Sequence, residues 1–281
     1  MTLARLSLLF FLALPLSAQV AEGDRLFAIR ATGAQGVHAS AGPIDGAIAA
    51  YRQAIAANAN DLVAHAGLLR SYRFKGAYVA RSVDEKKKIY GVAKAAGEQA
   101  LAATARLLAQ RGVKSNASPK NVAEALRAVP GAGSIYLWDS INWGEWALAY
   151  GKLAAARQGA ADRILREATI AHLIDPSLEL GAPARVLGRL HDQTPRIPFL
   201  TGWASSKEAL KYLRESLSYD PTNKLTILFL AEAMVSSDAK SKPEAIRMLR
   251  NAIDDPLHSE YLVEDAAAVA DAKALLKRWG A

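Results

Sequence analysis

Apolar residues fall on helical stripes along most of the chain. Ile44, Ala47, Ile48, Tyr51, Ala54 and Ile55 form one stripe; Leu62, Ala66, Leu69 and Tyr72 form the next. A long helical pattern then runs from about Asp84 to Ala109. The stretch 134–158 is the most aromatic, and its Trp143, Trp146 and Tyr150 stand at i, i+3 and i+7, on one helical face. Further stripes cover 160–174, 209–219, 225–235, 245–253 and 262–279. No useful length of strand-like alternation occurs. The pattern predicts an all-α chain built as an array of antiparallel helix pairs.

The polar positions punctuate these stripes. Pro43 opens one helix and Asp61 caps another. Ser82-Val-Asp-Glu85 and Ser205-Ser-Lys-Glu208 read as capping boxes, in which serine and glutamate each satisfy an orphan amide. Asp175-Pro176, Asp220-Pro221 and Asp255-Pro256 read as helix stops, because a proline pushes the residue before it out of the helical region. The segment 181–203 is the joint between two helical halves. Pro183 opens a short helix ending near His191, and Pro195 and Pro198 then forbid regular helix. Phe199, Leu200 and Trp203 are apolar enough that this loop is expected to pack against neighbouring helices.

A degenerate repeat runs through the array. Ala47-Ile-Ala-Ala-Tyr-Arg-Gln-Ala-Ile and Ala209-Leu-Lys-Tyr-Leu-Arg-Glu-Ser-Leu share one arrangement of small, aliphatic and aromatic positions before a helix stop. The stops at Asp220 and Asp255 are 35 residues apart, near the tetratricopeptide period of about 34. Small residues at such positions let paired helices approach closely. The expected architecture is a degenerate tetratricopeptide-like (TPR-like) α-solenoid.

Composition narrows the setting. Arg5, the apolar run 6–16 and Leu16-Ser17-Ala18 have the form of a cleavable secretory signal over 1–18, leaving 19–281 as a single helical domain with a soft joint near 181–203. The expected location is the periplasm. The chain has no cysteine, so an exported form holds together without disulfides. The formal net charge of +8 suits acidic proteins, anionic solutes or a membrane surface better than nucleic acid in that compartment.

Catalytic chemistry is not legible. His38, His65, His172, His191 and His258 are scattered, with no metal-ligand spacing, and no nucleophile elbow or phosphate loop occurs. The expectation is a non-enzyme with no cofactor, no metal and no catalytic residue. Two constellations suggest binding. Trp143, Trp146 and Tyr150 could wall an apolar groove, or simply pack in the core. Arg185 and Arg189, four apart, could fork a carboxylate, or form a solvated or internally paired face.

Three motifs carry a family resemblance: Leu153-Ala-Ala-Ala-Arg-Gln-Gly, Arg185-Val-Leu-Gly-Arg-Leu-His and Pro198-Phe-Leu-Thr-Gly-Trp. Together with the aromatic stretch ending in Trp143-Gly144, they resemble the T-component (TatT-like) family of TRAP (tripartite ATP-independent periplasmic) transporters. The resemblance implies a non-catalytic periplasmic accessory protein that self-associates and works beside a TRAP-type solute-binding protein. Its implied ligand is an organic acid or a hydrophobic molecule. The alternative reading is a general tetratricopeptide scaffold of the cell envelope. Members of that family can be lipoproteins, whereas this chain has no cysteine to carry a lipid.

Overall fold

The computed structural model describes residues 16–281; the leader-like stretch lies almost wholly outside them, and Leu16–Ala18 begin the first helix. Regular structure among the described residues is helical apart from one isolated bridge between Gln35 and His38. Helices α1 (Leu16–Ala28), α2 (Ala41–Ala57), α3 (Leu62–Phe74) and α4 (Val83–Gln110) are followed by the short α5 (Pro119–Leu126). Then come α6 (Ala132–Tyr150), α7 (Lys152–Arg157), α8 (Ala160–Ile174) and α9 (Leu178–Gln193). The array ends with α10 (Ser206–Tyr219), α11 (Lys224–Ser237), α12 (Lys242–Asp254) and α13 (Leu262–Trp279). Consecutive helices pack on one another, with α5 and α7 as side pieces, giving the degenerate TPR-like α-solenoid of helix pairs.

Local chemistry sets the helix ends. Asp61 accepts from the Ala64 amide at 2.9 Å and Ser82 from the Glu85 amide at 3.2 Å. In return the Glu85 carboxylate accepts from the Arg81 amide, one residue before the expected one. Ser205 caps Glu208. Asp175, Asp220 and Asp255 all leave their helices in extended backbone, as the following proline dictates.

Two irregularities escape the sequence pattern. Lys75–Val79 forms a π-helical turn that continues α3. At the start of α9, Glu179, Leu180 and Gly181 take left-handed backbone, and regular helix begins only after them. Gly181 and Gly188 allow a close approach to α10: a Cβ on Gly188 would stand 2.6 Å from Leu213 Cγ.

The main core runs from Phe27 to Val263 and is rich in alanine. Smaller clusters fill α10–α13 and the Trp143–Trp146 region. The array curls so that its ends meet. Arg30, just after α1, donates to Glu264 Oε1 at 2.8 Å and to the Glu260 carbonyl, and Val263 belongs to the main core.

The joint departs from expectation. Only Trp203 packs, edge-on against His191 at 5.3 Å, with its Nε1 donating to Asp162. Phe199 is fully exposed and Leu200 is 68% exposed. Turn bonds from Leu200 and Thr201 to the Ile197 carbonyl tie the loop to itself, which leaves these two side chains no helix face to reach.

Candidate functional site

Arginines from α3 and α9, helices far apart in sequence, come close to one another. α3 contributes Arg70 and Arg73 one turn apart; α9 contributes Arg185. The π turn swings Tyr78 round so that its hydroxyl accepts from Arg73 Nη1 at 2.8 Å. α6 supplies Glu145, 3.4 Å from Arg73. The left-handed turn places the Glu179 carboxylate 3.8 Å from Arg70 and its carbonyl 3.4 Å from Arg185 Nη2. π turns and left-handed non-glycine residues are both costly and are enriched at functional sites. Here both abut the same basin.

The charges do not balance evenly. Arg30 has Glu264, Arg70 has Asp24 and Glu179, and Arg73 has Glu145. Arg185 has only the Thr226 hydroxyl at 3.1 Å and the Glu179 carbonyl; among the described residues no carboxylate lies within 4 Å of it. Burial, and then the like charge of Arg73, pull its guanidinium down to about 10. The charges of Glu179 and Asp220 offset this only in part. Burial pushes the Tyr78 and Tyr90 hydroxyls up, so both stay protonated donors at neutral pH. Arg70 Nε, Arg73 Nε, the Tyr90 hydroxyl and Glu264 Oε2 are buried and make no hydrogen bond within the protein. Arg185 keeps part of its surface open to solvent. The arrangement can hold an oxyanion.

The other sequence-derived candidates are placed differently. Arg189 donates to Glu232 at 2.7 Å and Asp192 at 3.3 Å and lies over the Phe229 ring. It is internally paired, so the two arginines do not share one anion-binding fork. Trp143 and Trp146 are buried and edge-on to each other at 5.6 Å, while Tyr150 stacks on Trp146 and is partly exposed. Lys94 Nζ lies 3.8 Å from both indole centroids, and the Arg163 guanidinium 4.4 Å from that of Trp143. The aromatic face is thus covered by its own cations.

Beside it, Arg163 donates to Asp139 at 2.9 Å and to Glu167 at 2.8 Å, both fully or nearly buried. Burial raises both carboxyls, that of Glu167 well above its usual range with Asp139 as the next cause. A single guanidinium does not neutralise the carboxylates it meets, Glu98 included, and burial disfavours charge on Asp139 and Glu167.

Arg73, Tyr78, Glu145 and Glu179 were not legible as site residues. The one available signal was Arg70 and Arg73 inside an otherwise apolar helix. A wide depression of about 870 Å³ between the end of α4 and α5 lies apart from these groups. None of its lining residues carries a buried polar side-chain atom without a partner. No group of histidines and carboxylates that could hold a metal occurs among the described residues. The chain matches no family model and no curated protein.

Proposed function

We propose that this protein is a non-catalytic binding protein whose inner basin takes the carboxylate of an organic acid or of an acidic partner side chain. The observation that carries this reading is Arg185: a deeply set guanidinium with a hydroxyl and a carbonyl as its only partners, while its arginine neighbours have carboxylates. A carboxylate supplies the missing charge and accepts in forked geometry from a guanidinium.

The biological setting rests on sequence resemblance. Arg185 stands in one of the three motifs that resemble the T-component family of TRAP transporters. On that reading the protein is a periplasmic accessory of a TRAP-type uptake system and meets its solute-binding protein. Recovery of such a protein from a periplasmic pull-down supports this setting; recovery of envelope-assembly factors alone points to a general scaffold.

The ligand reading is tested by a melting panel of small organic acids, each set against its neutral amide. Acids are expected to raise Tm and amides to leave it unchanged, since only a ligand favouring the folded state stabilises it. Equal shifts, or none with any acid, would count against the basin as an anion site.

A further inference from the structure

A second surface, distant in chemistry from the arginine basin, combines exposed apolar side chains with free cations. It has two parts. At the elbow where α6 turns at Gly151 into α7, Leu148 is 82% and Leu153 67% exposed, with Tyr150 partly exposed between them. In the joint, Ile197, Phe199 and Leu200 stand in solvent. One bond ties the joint to the helix after the elbow: Trp203 donates to Asp162 at 2.9 Å, in the first turn of α8, which directly follows α7.

The joint is not a slack connector. The Thr201 and Leu200 amides donate to the Ile197 carbonyl at 2.9 and 3.2 Å, and Thr201 Oγ1 accepts from the Ile197 amide at 3.1 Å. Phe199 takes left-handed backbone at φ 65°, a costly conformation for a residue with a Cβ. The turn thus holds Phe199 and Leu200 outward as a protruding knuckle.

Charge selects the occupant. Lys152 and Arg157 are the exposed ends of α7, Arg196 precedes the knuckle, and Lys87 lies 5.7 Å from the Tyr150 ring. Among the described residues none of these four has a carboxylate within 4 Å. The acids along the edge are engaged: Asp162 by Trp203, Asp192 by Arg189 and Gln193, and Glu98 by Arg163. Protruding Phe and Leu with tyrosine at their base and unpaired Lys and Arg around them match the headgroup boundary of an anionic bilayer. The apolar tips enter the acyl region there, and the cations meet lipid phosphates.

We propose that the α6–α7 elbow and the 195–203 knuckle form a docking surface for anionic lipid bilayers. The full chain has no native cysteine, so single cysteines report position without background. Leu200→Cys and, on the exposed face of α12, Asn251→Cys are each labelled with an environment-sensitive dye. Each is then mixed with equimolar phosphatidylglycerol–phosphatidylcholine vesicles or with phosphatidylcholine alone. The expected result is a blue shift and a several-fold rise in emission at position 200 only, with anionic vesicles only. Salt should weaken it, and Lys152→Glu with Arg157→Glu should abolish it while far-UV circular dichroism stays unchanged. A dye at 200 that stays in water overturns the proposal, even if the chain binds through its leader-like segment. Equal shifts at 200 and 251, or with neutral vesicles, overturn it as well.

Discussion

Arg185 and Arg189 stand one turn apart on α9, and the sequence gives them the same standing. What separates them is the facing position on α11: Thr226 opposite Arg185, Glu232 opposite Arg189. A hydroxyl leaves a cation uncompensated, whereas a carboxylate neutralises it. The buried Asp139–Glu167 pair makes the opposite case, since with Glu98 it puts three acids on Arg163. Both carboxyls are raised in the folded protein, so it binds protons that the unfolded chain releases near the ordinary carboxylate range. Stability from this pair is therefore full at acid pH and falls as pH rises from the unfolded values through the raised folded ones. Asp139→Asn removes one charge and keeps an acceptor for Arg163. Urea unfolding across pH should show the variant with a flatter profile and a gain over the natural protein at neutral pH. A profile identical to that of the natural protein would mean that burial does not raise these carboxyls.

At the scale of elements, most of the fold was open to reading. Apolar stripes with small residues predict helices that pack closely, and aspartate before proline fixes where they stop. The two features that shape the basin were not. A π turn at Lys75–Val79 leaves no mark on apolar periodicity, because it inserts one residue into an otherwise normal helix. The left-handed run at Glu179–Gly181 is held by tertiary packing and not by local preference, since leucine and glutamate disfavour it. Phe199 and Leu200 failed for a related reason: apolarity says what a side chain prefers and not what lies within reach. Two substitutions test the α9 account by thermal melting. Leu180→Gly relieves a left-handed residue that is more than a third exposed, and should stabilise by about 1 kcal/mol. Gly188→Ala forces a methyl against Leu213 and should cost about 1–3 kcal/mol. A neutral Gly188→Ala would mean that α9 and α10 are less closely apposed than described.

Across the whole molecule, the basin exists because the array curls until its ends touch. Arg30 and Glu264 are 234 residues apart, and their contact brings Tyr261 and Glu264 to the same inner side as Arg70, Arg73 and Arg185. No spacing rule joins residues so distant in sequence, which is why Arg185 was legible as a candidate and its neighbours were not. The aromatic face was legible as a face, but its covering cations, Lys94 and Arg163, come from α4 and α8. The proposed acid binding rests on Arg185, a deeply set guanidinium with no carboxylate within 4 Å among the described residues. Isothermal titration of a carboxylate selected by the melting panel tests it, using the natural protein, Arg185→Ala and Arg189→Ala. Arg185→Ala should lose at least tenfold in affinity, about 1.4 kcal/mol or more, with little change for Arg189→Ala. Equal affinity in the natural protein and Arg185→Ala would contradict it.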